Sequence, residues 1–294
     1  MAGFFPLHRT ITLPASLLDG RAIARTMRDE LRNLRSRIDH PIRLVSLEIG
    51  EHPSAAVYMR NQRRAAENVG IEFQEVRLPA DCPQAEVLRH IELWNFDEDV
   101  HGILVQRPMP DHIDVRIIQS HIAAEKDVEG MTPWNMGTIL YRQPDLAPCT
   151  AAAAMKLLEK SEVDLQGAEA VVVGHSEIVG KPIAMFLLHH LSTVTVCHVG
   201  TRDLAAHTKR ADIVVVAVGK AGLVTGDMLR EGAVVVDIGI NVTPDGMVGD
   251  CDFDTCSKVA AQITPVPGGV GPVTVAILMR NTLVAAGLAE AASV

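Results

Sequence analysis

The sequence predicts an α/β protein built on parallel sheets, and three observations predict it. Segments with helical spacing and short β-rich runs take turns along most of the chain, an order that places crossover helices between strands. The runs "AEAVVVG", "ADIVVVAVG" and "GAVVVDIGI" are almost continuously apolar, as strands covered on both faces are. With 294 residues, 48% of them hydrophobic, the chain has material for two domains of ordinary size.

Taken in order, "LLDGRAIARTMRDELRNLRSRI" repeats apolar residues at helical spacing with charge on the other face, and "IRLVSLEIG" follows as a strand ended by Gly50. The stretch "PSAAVYMRNQRRAAENVGI", Pro53 to Ile71, reads as a helix opened by Ser54 and closed by Gly70. Tyr58 and Gln62 stand four residues apart in it and so share one face. Strand "IEFQEVRL", helix "AEVLRHIELWN" and strand "VHGILVQ" continue the alternation. From Pro108 to Pro148 it dissolves into "RPMPDHID", "AAEKDVEGMTPWNMG" and "RQPDLAPCT", the kind of irregular stretch that carries function or joins domains. It restarts with a helix over 151–161, strand "AEAVVVG", helix "IVGKPIAMFLLHHL" and strands "TVTVCHV", "ADIVVVAVG" and "GAVVVDIGI", with no repeat of fixed period.

A formal charge of −9 and few aromatics (six Phe, two Trp, two Tyr) argue against a nucleic-acid surface and for a small-molecule partner. Five scattered cysteines without a C-x-x-C pair fit reduced thiols and give neither a disulfide framework nor a zinc motif. Cys251 and Cys256 of "CDFDTC" read as ordinary loop and helix residues, so no metal is expected. The opening "MAGFFPLHRTITLPA" lacks a basic region before a long apolar run, and no window nears the roughly 18 apolar residues of a membrane span. A soluble, cytoplasmic protein is the expectation.

In "VVVGHSEIVGKP", Gly174 ends a buried strand and Gly180 lies in the opening turn of the next helix. Such a turn, with His175, Ser176, Ile178 and Val179 between the glycines, offers backbone N–H groups and a helix N-terminus to a phosphate. Ser176 stands where G-x-G-x-x-G has its middle glycine, so this fingerprint is weak by itself. Two more turns, "AVGKAGLV" with Val218 and Gly219 and "DIGIN" with Gly239 and Ile240, leave neighbouring strands and converge on one crevice. Where an NAD-binding sheet usually carries a carboxylate for the ribose hydroxyls, "CHVGTRD" presents His198, Thr201 and Arg202, which permits a 2′-phosphate.

"TPVPGGVGPVT" is a rigid Pro/Gly loop running into a last apolar helix. Together with "GILVQRPMP", "KDVEG", "PCTAAA", "GHSEIVGKP" and "AVGKAG", it resembles the methylenetetrahydrofolate dehydrogenase/cyclohydrolase family, the bifunctional FolD-type enzymes, over nearly the whole chain. The resemblance implies two α/β domains with a cleft between them: residues 1–147 plus 275–294 for folate, and a Rossmann-like part, 148–274, for the cofactor. It implies a homodimer, a tetrahydrofolate derivative as substrate and NADP as cofactor, with NAD left open because His175 and Val199 replace an Arg and a Ser often found there. By matching motifs, Tyr58 lies beside the folate rings, Gln106 belongs to the catalytic network, and Asp127 holds the pterin's donor edge. Pro108, Pro267, Gly268, Gly269 and Pro272 are the further substrate-side residues.

The family pattern is Y-x-x-x-K, and here Gln62 occupies the lysine's place. Hydride transfer needs mainly positioning, which a neutral amide can supply. Hydrolysis of the methenyl product needs a group that exchanges protons near neutrality, and an amide does not. Arg60 and Arg63 lie roughly 140 to 160° around the helix from Tyr58 and stay protonated. The expectation is a dehydrogenase with weak or absent cyclohydrolase activity. A fully bifunctional enzyme is the runner-up, and a folate or nucleotide sensor without catalysis is the rival from another class.

Overall fold

The computed structural model describes residues 15–142 and 144–289, the side chains of 53–55 excepted. The opening segment read above for targeting lies, up to Pro14, outside the described residues. The first part of the chain runs β1 (Ser16–Leu17), α1 (Gly20–Arg35), β2 (Arg43–Ile49), α2 (Pro53–Val69), β3 (Glu72–Leu78), α3 (Gln84–Phe96), β4 (Val100–Val105), α4 (Val115–His121) and α5 (Pro133–Thr138). Strands β2, β3 and β4 form a parallel sheet in the order β3-β2-β4. The period-2 pattern of β2 sorts its faces: Leu44 meets the core under α1 and α2, while Val45, Leu47 and Ile49 meet Val87, Ile91 and Trp94 of α3 and Ile118 of α4.

The caps explain where two helices begin and end. Asp19 accepts from the backbone N–H groups of Arg21 and Ala22 and starts α1. Helix α2 starts at Pro53 with His52 at the N-cap, so Ser54 lies in the first turn and is not the opening residue that the sequence predicts. Proline suits that first position because its missing N–H has no partner to lose there. Gly70 ends α2 at φ 90°, as expected, and donates to Ala66 O and Glu67 O.

The second part runs α6 (Cys149–Lys160), β5 (Glu169–Val173), α7 (Gly180–His189), β6 (Thr193–Cys197), α8 (Leu204–Thr208), β7 (Ile213–Val216), β8 (Val234–Asp237), β9 (Asn241–Thr243), β10 (Gly246–Val248), α9 (Phe253–Cys256), β11 (Gln262–Ile263) and α10 (Val270–Ala285). Its parallel sheet has the order β1-β11-β8-β7-β5-β6, while β9 and β10 form an antiparallel hairpin. The valine runs behave as read: Val171, Val173, Val214, Val216 and Val235 are buried on one face and Ala170, Val172, Val215 and Val236 on the other. The sequence missed β1, α8, the hairpin, α9 and β11, since elements this short carry too little periodicity. Strands β6 and β7 also stop two and three residues short of the predicted runs, and α7 begins at Gly180 after a turn over 177–179.

Two features join the parts. Strand β1 pairs with β11, Ser16 opposite Gln262, so the start of the chain closes the edge of the second sheet. Helix α10 is buried almost all round and packs on α6, α1 and α2, giving one apolar core that runs from the first sheet to the second. No helix among the described residues is long and apolar enough to cross a membrane.

Candidate functional site

Chain order 6-5-7-8 in the second sheet reverses between β5 and β7, and ligands of such sheets lie outside the strand ends at that switch. Gly174 leaves β5 there with φ 121°, and a Cβ on it would stand 2.2 Å from Ala217 O, at the end of β7. A Cβ on Gly180 would stand 2.1 Å from Gly174 O, so the helix N-terminus presses directly on the strand end. This cradle has the compactness that a pyrophosphate against backbone N–H groups requires, and the chain fits a dinucleotide. Ser176 Oγ accepts from Val179 N–H at 3.2 Å and Gly180 N–H at 3.5 Å, satisfying the helix end with a hydroxyl in place of an anion. His175 and His198 bring their rings to 5.0 Å, and Thr201 Oγ1 accepts from His198 N–H. Arg202 is exposed on the same loop.

The turns after β7 and β8 are tied by a residue the sequence reading missed. Asp250, fully buried, accepts from the N–H groups of Val218, Gly219 and Lys220 at 2.6, 2.9 and 2.8 Å, and from Asn241 Nδ2 at 2.9 Å. Gly239 abuts the same carboxylate, leaving no room for a side chain, while Ile240 is exposed beside it. Asp237 accepts in turn from Gly239, Asp250 and Cys251 N–H. Burial pushes the Asp237 carboxyl up, opposed by those three donors.

Of the residues expected on the folate side, Tyr58 and Gln62 line a cavity of about 100 Å³ together with Arg107, Glu129, Met131, Cys149, Thr150, Ile178, Thr274 and Leu278. A larger groove of about 370 Å³ lies beside Gly167, Asp212 and Gly232, at the opposite ends of the strands, away from the three glycine turns. Tyr58 and Gln62 share the α2 face that enters the cavity, while Arg60 and Arg63 point away and Arg63 pairs with Glu75. Gln62 is buried and accepts from Gln106 Nε2 at 2.8 Å; the same nitrogen reaches Ser46 Oγ at 2.9 Å. Although 39% of Tyr58 is exposed, its phenol end is desolvated; that burial first, then Cys149 and Glu129, holds it protonated well above the usual range. Ile178, from the cofactor turn, completes the wall, so the two ligand regions touch.

In "KDVEG" the two carboxylates separate. Asp127 is buried, and its Oδ2 accepts from Thr132 N–H at 2.6 Å and Asn135 Nδ2 at 2.9 Å, which holds the loop together. The carboxylate lining the cavity is Glu129, which the sequence reading passed over. Its burial pushes it up to about 7, against the pull of Arg107 and with a further push from Asp127. Asn281 of α10 fixes this loop by donating from Nδ2 to Val128 O at 2.8 Å and Ala147 O at 2.9 Å, and its buried position inside an apolar helix is the signal that could have found it. Pro108 follows a cis bond from Arg107, and Pro267 one from Val266; neither lines the cavity. Gly268 packs against the Arg21 guanidinium, Gly269 caps α10 with its carbonyl against Gly20, and Pro272 sits in the first turn of α10.

A doubly wound sheet with a glycine cradle at its switch, touching a polar cavity carried by a second α/β sheet, defines a dinucleotide-dependent enzyme whose substrate is held between two domains. The comparisons make the class specific. The "Tetrahydrofolate dehydrogenase/cyclohydrolase, catalytic domain" model matches residues 18–129 and the family's "NAD(P)-binding domain" model residues 148–290, and the chain belongs to that family. It is 51% identical to bifunctional protein FolD 3 of Roseobacter denitrificans over 91% of this chain and 94% of that protein. The crystal structure of the bifunctional FolD dehydrogenase/cyclohydrolase of Campylobacter jejuni superposes with a TM-score of 0.90 at 41% identity, covering 93% and 99% of the two chains. The Trypanosoma brucei dehydrogenase-cyclohydrolase, solved with NADP and an inhibitor, gives 0.88 at 39% identity over 93% and 97%.

Proposed function

We propose that this enzyme oxidises 5,10-methylenetetrahydrofolate to 5,10-methenyltetrahydrofolate with NADP as hydride acceptor, and that its cyclohydrolase step is weak or absent. The observation that carries the reading is the hydrogen bond between two buried amides, Gln62 and Gln106, at the position where the family resemblance implies a lysine. Such a pair orients a substrate but exchanges no proton near neutrality. The nicotinamide, when bound, supplies the hydride acceptor. Tyr58 stays protonated and offers its O–H to the substrate. Gln62 and Gln106 fix the reacting end, and Glu129 in its ionised form stabilises the positive charge that develops there. Asp127 serves by holding the loop that carries Glu129. Pro108 and the loop from Pro267 through Pro272 close on the ligands from the sides, within a folate part of residues 1–147 plus 275–294 and a cofactor part of 148–274. NADP over NAD is supported by the lack of a ribose-binding carboxylate in "CHVGTRD" and by the NADP bound to the Trypanosoma brucei relative.

The test follows reduced cofactor and methenyl absorbance together in one reaction. Accumulating methenyl product is the expected result; its disappearance faster than in a protein-free control overturns the cyclohydrolase part. The bifunctional reading has its own support, since Glu129 titrates near neutrality inside the cavity and the relatives are named bifunctional. Binding of both ligands without cofactor reduction would favour a sensor. We further infer a cytoplasmic homodimer, supported by the resemblance and by the exposed Val242, Met247 and Val248 of the β9–β10 hairpin, with sedimentation as the check on assembly.

A further inference from the structure

Helices α1 and α2 pack side by side and carry eight arginines against three acids. At about 100° per residue, Arg21, Arg25, Arg28 and Arg32 fall within about 60° of one another, a stripe roughly 16 Å long down one flank of α1. That flank faces α2, because Arg32 Nε donates to Asn68 O at 2.7 Å and Arg35 Nε to Gly70 O at 3.0 Å. On α2, Val57, Asn61 and Arg64 share the face of Asn68 and are exposed, so an open seam runs between the helices. One end of the seam reaches the cavity: Tyr58, next round α2 from Asn61, lines it yet is 39% exposed, and the Arg21 guanidinium packs on Gly268. The other end is closed by Arg32, engaged by Asn68 and Asp29. Among the described residues no hydrogen bond or ion pair claims the guanidinium of Arg21, Arg25, Arg28 or Arg64. The nearby carboxylates do not neutralise them: Asp19 caps α1, Asp29 pairs with Arg32 at 2.9 Å, Glu30 is on the far side of α1, and Glu67 lies a quarter-turn from the seam. Burial lowers the Arg28 pKa, and the like charges of Arg25 and Arg32 lower it further against the pull of Asp29. The seam is thus a positive strip on a chain whose formal charge is −9.

We propose that the seam between α1 and α2 holds the anionic tail of the substrate, and that the enzyme takes tetrahydrofolates extended by γ-linked glutamates in preference to the single-glutamate form. This rests on the reading that the cavity holds the folate. A tetrahydrofolate carries its reacting rings at one end and a glutamate at the other, so with the rings in the cavity the tail leaves past Tyr58. Each γ-linked glutamate adds one carboxylate, and Arg21, Arg25, Arg28 and Arg64 offer planar donors in succession. Exposed pairs of this kind are weak one by one, so their number sets the gain. The gain levels off where the chain reaches Arg32, whose donors are already engaged. Contacts far from the reacting carbon act equally on bound substrate and transition state, so they lower KM and leave kcat in place.

The experiment follows dehydrogenation by the whole chain, at saturating NADP, of 5,10-methylenetetrahydrofolate carrying one, four or seven glutamates. From one to four glutamates KM is expected to fall about tenfold with kcat within about twofold, and from four to seven KM should change by less than about twofold. Raising salt from about 0.05 M to about 0.5 M should shrink the gain severalfold. Arg25→Gln and Arg28→Gln should each cut the gain by about two- to threefold and leave turnover of the one-glutamate substrate unchanged, which also shows that the variants fold. Arg89→Gln, which removes an equal charge from α3 on the other face of the first sheet, should keep the whole gain. A KM independent of tail length, or the same gain in parent, Arg25→Gln and Arg28→Gln, would overturn the proposal while the dehydrogenase reading stands. If none of the three substrates is oxidised, that reading falls and the proposal with it.

Discussion

The two ligand regions are built by different means. The cofactor crevice is made of backbone: turns pressed so close that Gly174, Gly180 and Gly239 admit no side chain, with Asp250 binding three N–H groups of the turn after β7. The folate-side cavity is made of side chains from α2, the ends of β4, the "KDVEG" loop, α6 and α10, which hydrogen-bond or repel one another. A backbone site tolerates no added atom at its turns but accepts change in its exposed side chains. A side-chain site keeps its shape when one polar group replaces another, and changes its chemistry.

The sharpest break of this comparison is Gly174→Ala. Its Cβ would stand 2.2 Å from Ala217 O at φ 121°, so the turn must move. A loss of more than about 3 kcal/mol in stability is expected, with NADP binding lost alongside. Urea unfolding and calorimetry measure both, and a stable variant that still binds NADP would show that the cradle is softer than its geometry implies. Next in size is Asn281→Ala, which frees Val128 O and Ala147 O inside the core; about 2 to 4 kcal/mol should be lost in urea unfolding. An effect under about 1 kcal/mol would mean that the two loops hold themselves without α10.

Gln62→Lys sharpens the contrast on the side-chain half. A lysine beside Gln106 and in the same cavity as Glu129 adds a group that can exchange protons. Methenyltetrahydrofolate hydrolysis, followed as loss of its absorbance, should rise about a hundredfold. Dehydrogenation should stay within a few-fold. No rise in hydrolysis would remove Gln62 as the explanation for a missing second step.

The same division decides what the sequence made legible. Glycines that end strands are visible as letters, so the tight turns after β5, β7 and β8 are legible where the structure has them, and the valine runs locate the second sheet. Tyr58 and Gln62 were placed on one face by helical spacing alone. The choice between Asp127 and Glu129 was not legible. Both are acidic, two residues apart in an irregular loop, and only the fold shows that Thr132 and Asn135 claim the first. Asp250 and Asn281 escaped for a related reason: their partners lie about 30 and more than 130 positions away, beyond any local pattern.

The smallest expected effect tests whether Glu129 is as dry as its position implies. Its pKa of about 7 in the folded chain stands above the ordinary 4.5, so between those values the folded protein holds a proton that the unfolded chain has released. Unfolding then takes up no proton and sheds one, and stability falls as pH rises from about 4.5 to 7. Glu129→Gln keeps the shape and removes the titration. Relative to the parent it should gain about 1 to 3 kcal/mol as pH rises through that window, with the gain complete above pH 7. Melting curves at pH 5 and 8 read the difference. If parent and variant shift in parallel, Glu129 is ionised in an ordinary, wetter setting, and the cavity then contains no group poised to carry a proton between substrate and water.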